Sequence, residues 1–364
     1  MVDLRNEFQP DYAVLPGEML EYELEIREMK VTELSDRAGI TQKHIIDITK
    51  GRSAITPNVA RRLESVLGMP ARYWLNLVAH YQEDLERIAF KEECAKDIEW
   101  LKRMPLKEMI RFGWLKEMQS KADQMAEVLQ FFGVVSVAQW QVVWSKKSQQ
   151  AAYRQTQNYE ILAEAVTSWL RQGEIQAAQI QTEPYDKARF KAVLPDIRSV
   201  TLNDADNFVD DVTRLCASAG VAVVFVPMLA KTGISGATHW VFNKPVIQLS
   251  LRGKTNDRLW FTFFHEAGHI LLHGKKDLFL ERDNNSDLEE CEKEREANEF
   301  AQNILIPKRL FEKFISEKDF TSKSIVSFAD DIGIAPGIVV GQLQHLNLVP
   351  WSRFNELKVS YEWA

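Results

Sequence analysis

Residues 260–273 read WFTFFHEAGHILLH, and the pentapeptide inside them, His265-Glu266-Ala267-Gly268-His269, decides how the rest of the chain is read. Leu259, Phe263, Ala267, Ile270 and Leu271 recur around it at helical spacing. On a helix, positions four apart share a face and lie about 6 Å apart along the axis. His265 and His269 can therefore converge on one ion. Glu266 falls beside such an ion rather than on it, where a carboxylate can take a proton from water and pass it to a leaving amine. The spacing is the HExxH signature of a zinc hydrolase. Chance also produces it on ordinary core helices, so its surroundings matter. Here Gly274 is placed to cap the helix, and Lys275 and Lys276 follow where the helix dipole favours cations.

A zinc hydrolase needs a third protein ligand and one open position for water. The metzincin pattern would put a histidine at position 275, which is Lys275, so that class is excluded. A glutamate from a following helix is the other common solution, and residues 289–306 (EECEKEREANEFAQNILI) read as such a helix. Ala297, Phe300, Ala301, Ile304 and Leu305 define its buried face. Glu296 lies at the border of that face, Glu299 points nearly opposite, and Glu292 falls well away from it. Only phase separates the candidates, and it favours Glu296; the other glutamates read as a solvated acidic face. His273, one turn beyond His269, reads either as a hydrogen-bonding partner of the site or as an ordinary helix-end residue.

The run from Trp260 to Pro307, with FTFFHEAGHILLHG followed by EREANEFAQNILIP, resembles the ImmA/IrrE metallopeptidases, which pair an HExxH helix with a later E-A-N-x-F-A helix. The resemblance extends through GVAVVFVPM, ISGATHWV and KPVIQLSLR upstream and FADDIGIAPGIVVGQLQH downstream, roughly residues 200–350. It implies His265, His269 and Glu296 as metal ligands and Glu266 as catalytic base. It also implies a protein substrate, because studied members of that family cleave helix-turn-helix repressors.

With 364 residues, the chain is long enough for two or three domains with their own cores. Its 45% apolar and 27% charged residues are those of an ordinary globular protein. No apolar stretch reads as long enough to span a membrane, and the first residues carry no signal pattern, so no membrane association and a cytoplasmic location are expected. Three widely spaced cysteines, Cys94, Cys216 and Cys291, suit a reducing compartment. Cys291 is read as structural. A net charge of −7 argues against coating nucleic acid by charge alone.

The N-terminal region departs from that average. Glu18 to Met29 reads as a first helix and Thr32 to Ala38 as a second. Gly39 makes a tight turn, Ile40 anchors it, and Thr41 caps a third helix running to about Thr49. Thr56-Pro57 opens a fourth. Helix, glycine turn, helix is the outline of a DNA-binding helix-turn-helix. Between Arg27 and Arg62 stand eight Lys or Arg against four acids, a balance that supplies phosphate contacts. Ile45 and Ile48 face inward, which leaves Gln42, Lys43, His44 and Asp47 exposed where base edges would be read. Thr41, Lys50 and Arg52 complete the candidate DNA-contacting set. A plain helical bundle fits the pattern nearly as well. The stretch LSDRAGITQKHIIDITKGRSAITPNVARRLESVLGMPARYWLNL is, however, similar to Xre/Cro-type domains, specifically the HigA-like antitoxin regulators. Ile46 departs from that pattern, standing where a small hydroxyl residue is common.

Residues 81 to about 200 read as mostly helical, with tryptophans suited to packing and breaks near Pro105, Gly133, 145–150 and Pro184. Val221 to Pro227, Gly236 to Phe242 and Pro245 to Leu251 read as three strands, the last two joined by a tight hairpin at Asn243-Lys244. Such a sheet could offer an edge to an extended substrate. His239 and His345 read as ordinary half-buried histidines rather than oxyanion donors. Ser324 to Leu348 repeats the helix, Gly333 turn, helix pattern, but Pro336 and few cations favour packing over DNA.

The expected fold is mainly α with a smaller α+β part. It comprises a helix-turn-helix bundle over residues 1–82, a helical connector over 83–200, and a zincin-like metallopeptidase domain with a small antiparallel or mixed sheet over 201–364. The expected function is a DNA-binding transcriptional regulator whose zinc-dependent endopeptidase domain cleaves a specific repressor or antitoxin in a stress or toxin-antitoxin response. Zinc is preferred by ligand type, with manganese the alternative. The expected partners are an operator in double-stranded DNA and a protein substrate or toxin partner, with a homodimer by analogy to other helix-turn-helix readers. The competing reading is a HigA-like antitoxin whose metal domain is a non-catalytic sensor or scaffold.

Overall fold

The structure, a computed structural model, describes residues 10–144, 163–203, 208–230, 232–273, 279–282 and 292–362. Gly274, Lys275, Lys276, Cys291 and the break at 145–150 lie outside the described residues. The chain divides into two compact units, Met1–Ile98 with Met118–Ala126, and Glu99–Glu117 with Glu127–Ala364. Residues 83–200, read from the sequence as a helical connector, contribute to both units.

In the first unit, helices α1 (Pro16–Ile26), α2 (Val31–Ala38), α3 (Gln42–Thr49) and α4 (Pro57–Leu67) precede the long α5 (Ala71–Lys96). α1 ends three residues before the expected Met29, because the chain turns at Glu28 with a positive φ of 49°. Gly39, at φ 63°, closes α2 in the left-handed conformation that a residue without Cβ adopts cheaply. Thr41 then caps α3 by accepting from the His44 amide at 3.3 Å, and Thr56 caps α4 by accepting from Val59 at 3.4 Å. Leu20, Leu34, Ile40, Ile45, Val59, Leu63 and Trp74 fill the core between them.

The second unit is built on a four-stranded mixed sheet of order β1-β3-β2-β4. β1 (Ala222–Phe225) runs parallel to β3 (Lys244–Leu249), and β2 (Ile234–Val241) runs antiparallel to β3 and to β4 (Phe279–Arg282). Three strands are those expected. The fourth is not, and it pairs along the second side of β2 from Ile234 to Thr238, so that length of β2 offers no free edge to a substrate. The hairpin turn falls on Phe242-Asn243, one residue earlier than expected, with Phe242 at φ 57°.

The two faces of the sheet are told apart by register, since directly paired residues share a face. Gln248, paired with Ala237, donates to the Trp169 carbonyl at 2.6 Å, so this face meets α6 (Ala163–Gln179). Thr238, paired with Ile247, donates to the Glu266 carbonyl at 3.0 Å, so the other face meets α9 (Asn256–Leu272). Between α6 and the sheet come α7 (Lys187–Ser199) and α8 (Phe208–Ser218) in chain order; after α9 and β4 follow α10 (Glu292–Leu305), α11 (Lys308–Ser316), α12 (Ser322–Ile332) and α13 (Pro336–His345). One core joins Phe190, Ile247, Phe263, Phe264, Ala301 and Leu343.

The C-terminal segment fastens the start of α9. The Asn256 amide donates to the Val359 carbonyl at 2.9 Å, Trp260 Nε1 to the Tyr361 hydroxyl at 3.2 Å, and Lys358 Nζ bridges Asp257 and Gln344 at 2.7 Å each. The helical stretch Lys121–Trp144 has the length and mean hydropathy, 1.2, of a membrane span, contrary to the expectation that none does. Gly133, in the left-handed conformation, interrupts it, and Phe132, Trp140 and Trp144 pack edge to face.

Candidate metal centre

From Leu259 to Leu271 helix α9 is largely apolar and almost wholly buried, which is the pattern of a central core helix. Within that stretch His265, Glu266 and His269 are the titratable residues, yet they are buried, at 2%, 0% and 1% exposure. Polar groups are buried only where they are satisfied or used. The helix ends at Leu272 with His273 as its cap.

The partner element is α10, and a glycine lets it come close. A Cβ on Gly268 would sit 3.3 Å from Ala297 Cα and 3.1 Å from the Phe300 ring. At this contact α10 presents Glu294, Ala297, Ala301 and Leu305, all buried and spaced three, four and four apart. Glu294 Oε2 lies 3.2 Å from His265 Nε2 and 3.5 Å from His269 Nε2, and the two histidine nitrogens are 3.0 Å apart.

Glu296 is therefore not the glutamate in the cluster. One position before Ala297, it is turned by about 100° from the contact face, its side chain is 46% exposed, and Oε2 meets His273 Nε2 at 3.1 Å. The apolar stripe marks the contact face, but the reading by phase favours Glu296 and leaves Glu294 among the glutamates of a solvated acidic face, whereas the structure brings Glu294 into the cluster. Asn298, four residues beyond Glu294, was also missed. Its Oδ1 lies 2.9 Å from His265 Nδ1. An amide oxygen only accepts, so His265 carries its proton on Nδ1 and turns the Nε2 lone pair to the cluster.

These three groups suit a cation. A tetrahedral ion with ligand distances of ~2.0–2.1 Å sets its ligands roughly 3.3 Å apart, which the separations of 3.0, 3.2 and 3.5 Å match. Two imidazoles and one carboxylate form a metal-ligand set, with all three ligand atoms within 4.8 Å of one another. Burial, opposed by the Glu294 carboxylate, pushes His269 down to about 4, so its ring stays neutral at physiological pH, as a ligand must be.

Glu266 sits against the sheet. A Cβ on Gly236 of β2 would come within 3.0 Å of Glu266 Oε1 and 2.5 Å of Thr262 Cγ2, so only glycine leaves room for this carboxylate. His239 pairs with Val246 on the face of the sheet away from α9, and His345 is exposed at the end of α13. Neither belongs to the cluster.

In the first unit, Thr41, Gln42, Lys43, Lys50 and Arg52 are exposed, and His44 and Asp47 half-buried. Thr41 is occupied as the cap of α3. Asp47 is engaged in its own loop, with its carboxylate 2.8 Å from Arg52 and its carbonyl accepting from the Arg52 and Ser53 amides. Gln42, Lys43 and Lys50 form the open part of the surface.

Comparison with known proteins gives two matches to family models. Residues 216–330 match the IrrE N-terminal-like domain of a peptidase family, and residues 20–74 match a helix-turn-helix domain. Among solved structures, an addiction module antidote protein of a HigA family from Coxiella burnetii is similar at 27% identity, covering 23% of this chain and 94% of that one, with a TM-score of 0.22. No curated protein matches the chain.

Proposed function

We propose, for a chain that carries a helix-turn-helix DNA-binding domain over residues 20–74 and an IrrE-like peptidase-family domain over residues 216–330, that it is a transcriptional regulator acting as a metal-dependent endopeptidase on one regulatory protein. The observation that carries this reading is the convergence of His265, His269 and Glu294 beside a fully buried Glu266.

His265 Nε2, His269 Nε2 and Glu294 Oε2 would hold the ion, with zinc favoured by two imidazoles and a carboxylate. Such an ion supplies polarisation of the scissile carbonyl and acidification of a water. The chain's own work falls to Glu266, whose carboxylate takes the proton released as water attacks and returns it to the leaving nitrogen. Gly236 keeps the space in which that carboxylate stands. Gln42, Lys43, Lys50 and Arg52 would meet operator DNA, with two copies reading two half-sites. A repressor or antitoxin in the cytoplasm is the substrate class, and a stress or toxin-antitoxin response its setting.

The test compares newly formed protein N-termini in cells producing the parent or Glu266→Gln. A discrete terminus present only with the parent, at equal metal content, is expected. Identical termini together with unchanged repression would replace this reading with a transcription factor whose metal domain is a non-catalytic sensor.

A further inference from the structure

We infer that His273 and Glu296 form a relay that fixes the ring proton of His269 and so aims its Nε2 lone pair at the ion; the inference rests on the metal reading above. Neither residue belongs to the ligand cluster, yet together they run in hydrogen-bond steps from the surface to it. Glu296 Oε2 lies 3.1 Å from His273 Nε2, and His273 Nδ1 lies 3.0 Å from His269 Nδ1. His269 Nε2 then faces His265 Nε2 at 3.0 Å and Glu294 Oε2 at 3.5 Å.

The direction of these bonds follows from one end. A carboxylate only accepts, so the carboxylate of Glu296 favours the proton of His273 on Nε2. In a neutral ring, Nδ1 is then an acceptor. The atom opposite it, His269 Nδ1, must donate, which leaves His269 Nε2 with a lone pair facing Glu294 and His265.

The opposite tautomer of His273 would set a lone pair against the Glu296 carboxylate. It would also let His269 carry its proton on Nε2, where a hydrogen would block metal binding. Glu296 thus selects the binding tautomer through one intervening ring.

The two ligand histidines are held in parallel ways. Asn298 orients His265 directly, through an amide oxygen at 2.9 Å. His269 is oriented by an imidazole backed by a carboxylate. The His273 side chain is 4% exposed and that of Glu296 46%, so the buried ring depends on a carboxylate at the surface. Groups in this position typically contribute 10–100-fold to metal affinity. His273 and Glu296 are positioning residues, acting through His269.

The experiment uses the full chain with His273→Ala, His273→Gln, Glu296→Ala and, as reference, His265→Ala. Zinc affinity is measured by competition with a chromophoric chelator, and the His269 tautomer in the metal-free protein by nitrogen NMR with labelled histidine. His273→Ala and Glu296→Ala are expected to bind zinc about 10–100-fold more weakly and to shift His269 from the Nδ1-protonated form to a mixture. His273→Gln should recover most of the affinity, because its amide oxygen can accept from His269 while its amide nitrogen donates to Glu296. Parental affinity and tautomer in both alanine variants, or an equal loss in His273→Gln and His273→Ala, would overturn the relay. Parental zinc binding by His265→Ala would instead overturn the metal site itself. Glu296→Ala, altering a partly exposed side chain, keeps the test open if His273 variants do not fold.

Discussion

Glu294 Oε2 stands 3.2 Å from His265 Nε2, bringing a carboxylate of α10 onto the nitrogens of α9. Glu296, two positions later, is turned away to His273. Glu294→Ala should therefore lose zinc by more than the ~100-fold that an orienting group contributes, while Glu296→Ala still fills with one equivalent at saturating zinc. Metal analysis after dialysis distinguishes the two. Equal retention by both variants would count against the assignment.

The metal-free protein should lose stability in acid through His269. The imidazole takes up its proton near 6.5 when unfolded and near about 4 in the fold. Between these values the unfolded chain binds more protons, so stability falls as pH drops through this window, by on the order of 3 kcal/mol. Urea midpoints from pH 7 to 4 should show this slope in the parent and a smaller one in His269→Gln.

At Gly236 a methyl group has no room, since it would meet Glu266 Oε1 at 3.0 Å and Thr262 Cγ2 at 2.5 Å. Gly236→Ala is expected to cost about 1–3 kcal/mol, the usual cost of overpacking. It should abolish the Glu266-dependent cleavage product while leaving metal content intact, because the ligands lie elsewhere on α9 and α10. Retained cleavage at unchanged stability would show that the base stands in another place.

On the first unit, Lys43→Ala should lower the salt dependence of operator binding by about one unit of slope. Gln42→Ala should instead relax sequence preference at one base position. Quantitative binding at several salt concentrations separates the two, and salt-independent binding by the parent would exclude a phosphate-contacting surface.

What could be read from the residues was the chemistry that is local. Gly39 with Thr41, and Thr56 with Pro57, each punctuate the helix-turn-helix within one or two positions, and both histidines and Glu266 share one turn of α9. Glu294 needed more, because a charged residue within a buried stripe resembles a surface residue until the opposite helix is known. Its signal was present in the spacing of Glu294, Ala297, Ala301 and Leu305. β4 has four residues and no alternation of its own, and exists through pairing with β2. Trp169 Nε1 donates to Val226 at 3.1 Å and Gln248 reaches back to Trp169, long-range contacts that no local pattern announces.

The central claim is that His265, His269 and Glu294 hold one ion. A crystal of the zinc-loaded protein measured at the zinc absorption edge tests it in a single anomalous difference map. The account predicts one peak within bonding distance of His265 Nε2, His269 Nε2 and Glu294 Oε2, with Glu296 and His273 outside it. A peak bound by Glu296 or His273, or no peak at the two histidines of α9, would contradict it.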